Sequence, residues 1–335
     1  MTDQADPIII RKANSEDAPQ IIEGFIRTYG SSYPNPQMYK REVVEELINT
    51  GLMNSVIAVA PSASVVGHCA LSYEHASDCI PEAGKLFVDP DYRGIHLSDR
   101  LARERIKQAK DLNIFGFWAA CVTNHPYSQH EIISQGGVET GLLINGQSKS
   151  VHMDGLQNVE DSRHSLIPCY VVLQACHELP IYLPKKHKAF FEDLLKHAKL
   201  KRCIVDDDEQ ISGTSKMSLH HSPEGKPSFI KVEEIGTDLL MKAELFMEEL
   251  ATEKHPVVYI DIPLSMSGAK QAIQELESLG FFWGAWLPNY TKAGDIVRLQ
   301  CLLDRTVNEK SITCARQDGE FIRDYVLSEW HRIAT

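Results

Sequence analysis

Residues 93–98 form the segment of this sequence whose types and spacing best suit chemistry. They read Arg-Gly-Ile-His-Leu-Ser, and they lie between a β-prone run (83–90) and an amphipathic run (97–112). A loop that opens a helix directs several unpaired backbone N–H groups at one spot, and the helix dipole adds partial positive charge there. The spacing therefore predicts a strand, a phosphate-cradling loop and a helix that together bind a pyrophosphate.

The elements around this loop alternate in a regular order. The apolar and β-branched patterns predict strands at residues 8–11, 55–60, 65–74, 83–90, 114–122 and 138–145. Helical spacing predicts helices after the cap-type Asp17 and at residues 40–51, 97–112 and 127–135. The order β-α-α-β-β-β-α-β-α-β indicates an α/β sheet with mixed strand directions.

The second half repeats part of this pattern. Strands are predicted at residues 165–175, 227–236, 256–265, 281–289 and 295–303, and helices follow the first, second and third of them. Residues 205–227 are polar and predict a loop or an exposed hairpin. The β-α-Gly-β unit of residues 114–145 recurs after roughly 140 residues, whereas solenoid periods are about 20–50. We interpret this as a duplicated domain, with domains at 1–168 and 169–335.

Composition limits the classes of partner. The chain has 335 residues, 43% hydrophobic and 24% charged, with a net charge of −12. Such an acidic surface repels nucleic acid and anionic membranes, and it does not repel cationic amines. We therefore expect neither nucleic acid nor membrane as a partner; a homo-oligomer is possible.

The cysteines and the first residues indicate the compartment. The eight cysteines show no C-x-x-C pair and no zinc-ligand spacing, and residues 1–10 lack the basic start of a signal peptide. No run approaches the ~18 apolar residues of a membrane span. We expect a cytoplasmic protein with free, buried thiols; one or two disulfides are the alternative.

The strand–loop–helix segment resembles the signature of the GNAT N-acetyltransferase superfamily. In that signature a strand ends in V-x-P-x-Y/F-R-G, and an R/Q-x-x-G-x-G/A loop opens a helix; here the first pattern is complete from Val88 to Gly94. His96 stands at the first glycine of the loop motif and restricts close backbone approach, and Ser98 stands at the second, where it can cap the helix. The element order over residues 8–145 is also that of the superfamily.

The resemblance implies a tandem protein with two GNAT-like domains, each a mixed, mostly antiparallel sheet flanked by helices. It implies acetyl-CoA as co-substrate, with no metal. The residues that would bind the cofactor are Phe87 and Val88 through their main chain, the loop residues Arg93, Gly94, Ile95, His96, Leu97 and Ser98, and Asn124 against the pantetheine arm. Asn124 is equally suited to cap the next helix.

The resemblance also suggests catalytic groups. Glu82, near the start of the strand before the loop, would be the general base; the alternative is a solvated carboxylate. The family's acid is a tyrosine about four residues before the glycine turn, but that position is Ile132, so Tyr127 is the candidate, with simple packing as its alternative. Cys121 and His125 are further options.

The C-terminal copy lacks the Arg-x-x-Gly loop and has Glu233 and Glu234 where a phosphate would lie. Carboxylates there would repel pyrophosphate, so we expect a degenerate copy that serves as a scaffold. His220, His221 and the acidic run 206–209 lack the spacing of a metal-ligand set.

These observations predict a cytoplasmic N-acetyltransferase that moves an acetyl group from acetyl-CoA to a primary amine of a small molecule. The alternative is an acyl-CoA-binding regulatory or interaction module with little catalysis. Acylation of a protein lysine or N-terminus, and a donor longer than acetyl, stay open.

Overall fold

The computed structural model describes residues 8–73, 78–147, 163–175, 177–206, 211–222, 225–251 and 255–334. Its strands are β1 (Ile9–Lys12), β2 (Met53–Val59), β3 (Val65–Ser72), β4 (Glu82–Val88), β5 (Gly116–Val122), β6 (Val138–Glu139), β7 (Leu143–Gln147), β8 (His164–Val172), β9 (Leu179–Tyr182), β10 (Arg202–Val205), β11 (Lys216–His220), β12 (Ser228–Glu234), β13 (Val257–Pro263), β14 (Phe282–Thr291) and β15 (Gly294–Leu302). Its α-helices are α1 (Ala18–Tyr29), α2 (Arg41–Asn49), α3 (Leu97–Asp111), α4 (Tyr127–Ser134), α5 (Lys185–Ala198), α6 (Leu239–Ala251), α7 (Ala269–Leu276) and α8 (Gln317–Ala334). The predicted α/β class, with mostly antiparallel sheets and flanking helices, is confirmed.

One predicted strand is wrong in detail. Residues 138–145 form two short strands, β6 and β7, rather than one. The interruption arises because the N–H of Leu142 donates to Gly284 of β14, at 2.9 Å, while β6 and β7 each pair with β8. The polar stretch predicted as loop or hairpin contains β11, which pairs with β12.

Two compact units divide the chain. The first holds the described residues up to Ala119 together with Val171–Gln174, and the second holds the other described residues. This division falls within β5 and within β8. The predicted boundary between residues 168 and 169 also falls within β8 and stays a prediction.

In the first unit, β1 to β4 pair antiparallel in chain order, and β5 joins β4 in parallel. Alternate residues of β2 belong to two different cores, so the sheet is covered on both faces. One core contains Phe25 of α1 and Phe87 of β4; the other contains Leu101 of α3. α3 approaches closely because of Gly67, where a Cβ would lie 2.9 Å from the Leu101 side chain.

In the second unit, a five-stranded sheet has the order β11-β12-β13-β15-β14. Only β12 and β13 are parallel within it, and α6 is the crossover between them. Its core includes the fully buried Trp283 and Trp286. The β12-α6-β13 connection has the same order as β4-α3-β5 in the first unit.

Seven cysteines lie in the described part of the chain as free thiols. Cys69, Cys121, Cys169 and Cys301 are buried, as expected, and Cys203 is exposed; Cys176 lies outside the described residues. None of the described helices is both long enough and apolar enough to cross a membrane.

Candidate functional site

Strands β4 and β5 are paired at only one position in the described residues. In the described part of the chain, Glu82 and Trp118 form the one parallel bridge between them. A parallel pair normally exchanges evenly spaced hydrogen bonds along its length. Over residues 83–88, the side of β4 that faces away from β3 is therefore an open edge.

Val88 directs its main chain to this open edge. The N–H of Asp89 donates to the Val66 carbonyl of β3 at 2.9 Å, and Val88 faces Gly67 in the register of the two strands. Because successive residues of a strand direct their N–H groups to opposite sides, the N–H of Val88 points away from β3. The N–H of Phe87 points toward β3, and its ring is buried.

β4 contains a bulge at Lys85. The register with β3 breaks after the pair His68–Phe87 and resumes at Ala70–Gly84, so two residues of β4 face one of β3. Lys85 has a φ of +53°, in the left-handed region, which costs a non-glycine residue roughly 1–2 kcal/mol. Strained residues and bulges concentrate beside functional sites, where they re-aim a side chain.

Three contacts hold Lys85 in this conformation. Its carbonyl accepts from Nδ1 of His68 at 2.6 Å, its main-chain N–H donates to the phenol oxygen of Tyr33, and its ammonium donates to Oγ of Ser72 at 2.5 Å. Burial lowers the pKa of His68 to about 4, so the ring is neutral at pH 7. With the proton on Nδ1, Nε2 accepts from Ser55 at 3.0 Å.

Aromatic side chains cover the same part of β4. The Tyr29 hydroxyl donates to the Leu86 carbonyl at 2.7 Å, and burial raises the Tyr29 pKa to about 12. The Tyr29 and Tyr33 rings stack with their centroids 5.3 Å apart. Sequence reasoning missed Lys85 and these rings; the one available signal was a glycine, Gly84, inside a strand pattern, which often marks a bulge.

Glu82, the predicted base, is the first residue of β4 and is partly buried. It faces Ser72 in the register, so its side chain lies on the same face of the sheet as Ser72. Its charge raises the pKa of the Lys85 ammonium, while burial lowers that pKa by more. Glu82 is thus less solvated than the alternative interpretation expected.

The turn after β4 is anchored at Asp89. Its carboxylate accepts from Nε of Arg27 at 2.7 Å and from the N–H of Asp91 at 3.2 Å. Gly94 then has a φ of +79° and His96 a φ of +56°. His96 therefore adopts the left-handed conformation that a glycine would take at the same place in the motif, instead of blocking the turn.

The loop delivers an open helix N-terminus. The first bond of α3 joins the Arg100 N–H to the His96 carbonyl at 3.2 Å, so the N–H groups of Leu97, Ser98 and Asp99 precede the helical ladder. Residues 93–96 are exposed, and Leu97 is buried and anchors the helix. The expectation that Ser98 caps the helix is wrong, because His96 is the N-cap residue and Ser98 lies within the first turn.

The side chains around this N-terminus differ in whether they form hydrogen bonds or ion pairs. Nδ1 of His96 lies 3.3 Å from Oδ2 of Asp99, and Arg100 donates to the Ile8 carbonyl at 2.9 Å. Arg93 and Ile95 are exposed, and Arg93 forms no ion pair with the described residues. Arg93 is therefore free to bind an anion, with three backbone N–H groups close by in sequence.

Asn124 and Tyr127 lie in the second unit. α4 begins at Tyr127 with Pro126 as its N-cap, so the expectation that Asn124 caps this helix is wrong. Within the described residues, its buried Oδ1 has no hydrogen-bond partner, and neither has the ring of His125, another predicted option. The Tyr127 side chain is 70% exposed, which is against simple packing; Cys121 is buried.

In the second unit, the segment just before α6 packs against the unit's own chain. Asp238 accepts from the Ser215 N–H at 2.6 Å and from the Lys242 ammonium at 3.0 Å. Gly236 donates to Oγ of Ser215 at 2.8 Å, and a Cβ on Gly236 would lie 2.4 Å from Thr214. The N–H of Leu239 donates to the Gly236 carbonyl at 3.3 Å, so contacts within the unit hold the segment before this helix.

One group of possible metal ligands was not expected from the sequence. Ligand atoms of His187, Glu277 and Glu329 lie within 4.8 Å of one another in the second unit. Lys186 and Arg332 each pair with both carboxylates, so two cations already balance the two acids. The group is better described as an ion-pair network.

The histidine pair and acidic run seen in the sequence show no ligand geometry in the described residues. Nε2 of His220 lies 3.1 Å from Oγ of Ser218, and Nε2 of His221 lies 3.0 Å from Glu249. Asp206 pairs with Lys188 at 3.2 Å. Residues 207–209 lie outside the described part of the chain.

Comparison with known proteins gives structural matches alone. No family model and no curated protein matches the sequence. Among solved structures, 409 chains match. They include the ribosomal-protein-S5-alanine acetyltransferase from Vibrio fischeri, which is 16% identical, with a TM-score of 0.38 and coverage of 50% of this chain and 98% of that chain.

Two further matches have similar values. An acetyltransferase of the GNAT family from Streptococcus pneumoniae is 14% identical, with a TM-score of 0.41 and coverage of 50% of this chain and 100% of its own. A GNAT superfamily phosphinothricin acetyltransferase from Sinorhizobium meliloti, in complex with acetyl-CoA, is 16% identical, with a TM-score of 0.39 and coverage of 50% and 88%. Such values concern the fold and leave the substrate open. Over about half of its length, this chain is similar in structure to solved GNAT acetyltransferases.

Proposed function

We propose that this protein is an N-acetyltransferase whose N-terminal domain binds acetyl-CoA and transfers the acetyl group to a primary amine of a small molecule. The observation that carries the proposal is the continuity of two features between Glu82 and Ser98. β4 leaves β5 after one bridge and exposes the Val88 N–H, and the following loop leads into the open N-terminus of α3.

The two features suit two parts of one cofactor. The N-terminus of α3, with Arg93 beside it, suits the pyrophosphate, because unpaired N–H groups and the helix dipole both favour anions. The open edge of β4 suits the amides of the pantetheine arm, which can pair with a strand. Ile95 and His96 contribute main chain to the same turn; Asn124 stays a predicted pantetheine contact.

In the reaction, the amine nitrogen attacks the thioester carbonyl carbon, and the C–S bond then breaks. Negative charge develops on the carbonyl oxygen, and the Val88 N–H stabilises it. Glu82 accepts the proton that the amine loses, and the departing thiolate takes up a proton. Tyr127 stays the predicted donor of that second proton.

The alternative, an acyl-CoA-binding module with little catalysis, has one observation in its favour. Asp99 places a carboxylate in the first turn of α3, and its described contact is with His96. A carboxylate there weakens phosphate binding through repulsion. A thiol-release assay across a panel of amines separates the two functions, since acetyl-CoA binding without turnover would favour the module.

Calorimetry with acetyl-CoA tests the binding site. Gly94→Pro should abolish binding, because proline cannot adopt a positive φ. Gly51→Pro is the matched control, since Gly51 also has a positive φ, +74°, but lies at the end of α2. We expect one acetyl-CoA per chain. Equal affinity in wild type and Gly94→Pro would contradict the proposal, and two sites per chain would contradict the degenerate C-terminal copy.

A further inference from the structure

Among the described residues, Lys85 is a partly buried cation that forms no ion pair. Its ammonium donates to the hydroxyl of Ser72. No carboxylate oxygen of the described residues lies within 4.0 Å of the ammonium nitrogen. Buried cations in the second unit are paired. Arg202 forms a bidentate ion pair with Asp295, and Arg298 forms one with Asp261.

An unpaired cation in such a place is costly. Burying a charge without a partner is unfavourable, and burial lowers the pKa of the Lys85 ammonium accordingly. The left-handed backbone at Lys85 adds to that cost. An anion from a ligand would offset the first cost, and the contacts from His68 and Tyr33 hold the residue ready for it.

The position of Lys85 relates it to the proposed reaction. It lies on β4 between Glu82 and Val88, and its ammonium reaches Ser72, the residue opposite Glu82. One anion and one cation therefore lie on the same face of the sheet, where the open edge of β4 begins. Burial of the Lys85 ammonium lowers the local dielectric constant, which strengthens charge recognition.

We propose that Lys85 binds a carboxylate of the acceptor, so that the acceptors of this enzyme are amines that also carry a carboxylate, as amino acids do. This inference rests on the proposed acetyl transfer and specifies its substrate class. Glu82 attracts the ammonium end of such an acceptor and Lys85 its carboxylate end. Polyamines, which have no carboxylate, are poor acceptors.

Matched pairs of acceptors test the inference. Thiol release is measured with amino acids, with their carboxamides and with spermidine, on wild type and on Lys85→Met. Wild type should prefer each acid over its amide by about tenfold or more, since a charge-assisted bond is lost in the amide. Lys85→Met should remove that preference by raising KM for the acid, and Lys85→Arg should restore part of it.

The control is Lys110→Met, an exposed lysine at the far end of α3, which should behave as wild type. Turnover of amines without any preference for the acid, or equal losses for acid and amide in Lys85→Met, would overturn the inference and leave the transferase intact. If no amine is turned over, calorimetry with amino acids on coenzyme A-saturated protein decides. No binding of the acid there overturns the inference, and no binding of coenzyme A overturns the proposed function as well.

Discussion

Two strand–loop–helix connections in this molecule have the same order of elements but differ in how the strand ends and how the helix begins. In the first unit, β4 runs through the loop of residues 89–96 into α3; in the second, β12 runs through residues 235–238 into α6. β4 shares one bridge with β5, whereas β12 pairs with β13 from Ser228 to Lys231. Val232 to Glu234 of β12 also lie beyond the pairing with β13, so the connections differ chiefly in the segment before the helix: residues 93–96 are exposed, whereas Gly236 is buried against the segment around Ser215.

The difference lies in what packs against the segment before each helix. The first N–H groups of any helix lack intrahelical partners. At α6, the segment around Ser215 packs against Gly236, and Asp238 is bonded to both Ser215 and Lys242. At α3, the corresponding groups follow an exposed loop. The segment before α6 is therefore held by contacts within its own unit, whereas the segment before α3 leaves room for a ligand.

The largest expected effect comes from adding a negative charge to the first turn of α3. Ser98→Asp places a carboxylate in the first turn of α3, where it favours the helix dipole but repels phosphate by about 4 kcal/mol at 4 Å and an effective dielectric constant of about 20. We expect acetyl-CoA affinity to fall by about 100-fold or more in calorimetry, with an unchanged or higher melting temperature. Ser98→Asn is the neutral control. Unchanged affinity in Ser98→Asp would show that α3 does not bind the phosphates.

The next effect concerns the bulge that β4 has. Burial lowers the pKa of His68 to about 4 from 6.5. Because the folded state binds the proton more weakly than the unfolded chain, stability is complete above pH 6.5 and falls as the pH drops toward 4. The shift corresponds to about 3 kcal/mol of unfolding free energy.

Urea unfolding followed at pH 7 and at pH 4 measures this loss. His68→Gln should remove most of the pH dependence of the first unit. His187→Gln is the counterpart in the second unit, where burial lowers the histidine pKa to about 3. An equal acid sensitivity in wild type and His68→Gln would mean that this ring does not clamp the bulge in its neutral form.

The smallest effect, on stability, is expected at Asp238, just before α6. The Ser215 N–H and then the Lys242 ammonium hold the pKa of Asp238 at about 2, below 3.8, so its contribution to stability is present above pH 4 and lost as the pH falls through 2. Asp238→Asn should lower the melting temperature slightly at pH 7 and not at pH 2. Acetyl-CoA affinity should not change, and a weakened affinity would mean that α6 takes part in binding.

Much of the first connection could be predicted from local patterns. Strand β4 and the start of α3 at Leu97 lie close to where the spacing of the residues placed them. The bulge could not be predicted, because Gly84, the residue suited to a positive φ, precedes the one that adopts it. Lys85 takes that conformation since His68, Tyr33 and Ser72 hold it from other elements.

The capping roles predicted for single residues could not be decided from local sequence either. Asn124 and Ser98 are both good capping residues by type, yet Pro126 and His96 occupy the cap positions. A capping preference of about 1 kcal/mol is small enough for tertiary packing to override. The sequence showed that the second half lacks the Arg-x-x-Gly loop, but the segment around Ser215 that packs against the start of α6 is distant in sequence.

By itself, then, the sequence determined the order of strands and helices and the loop that opens α3, because periodicity and turn chemistry act over a few neighbouring residues. Only the tertiary structure decided where β4 leaves β5, which residue bears the strain of the bulge and which helix end stays open. Those outcomes depend on contacts between residues far apart in the chain, such as Lys85 with Ser72 and Asp238 with Ser215. No local pattern in the sequence records such contacts.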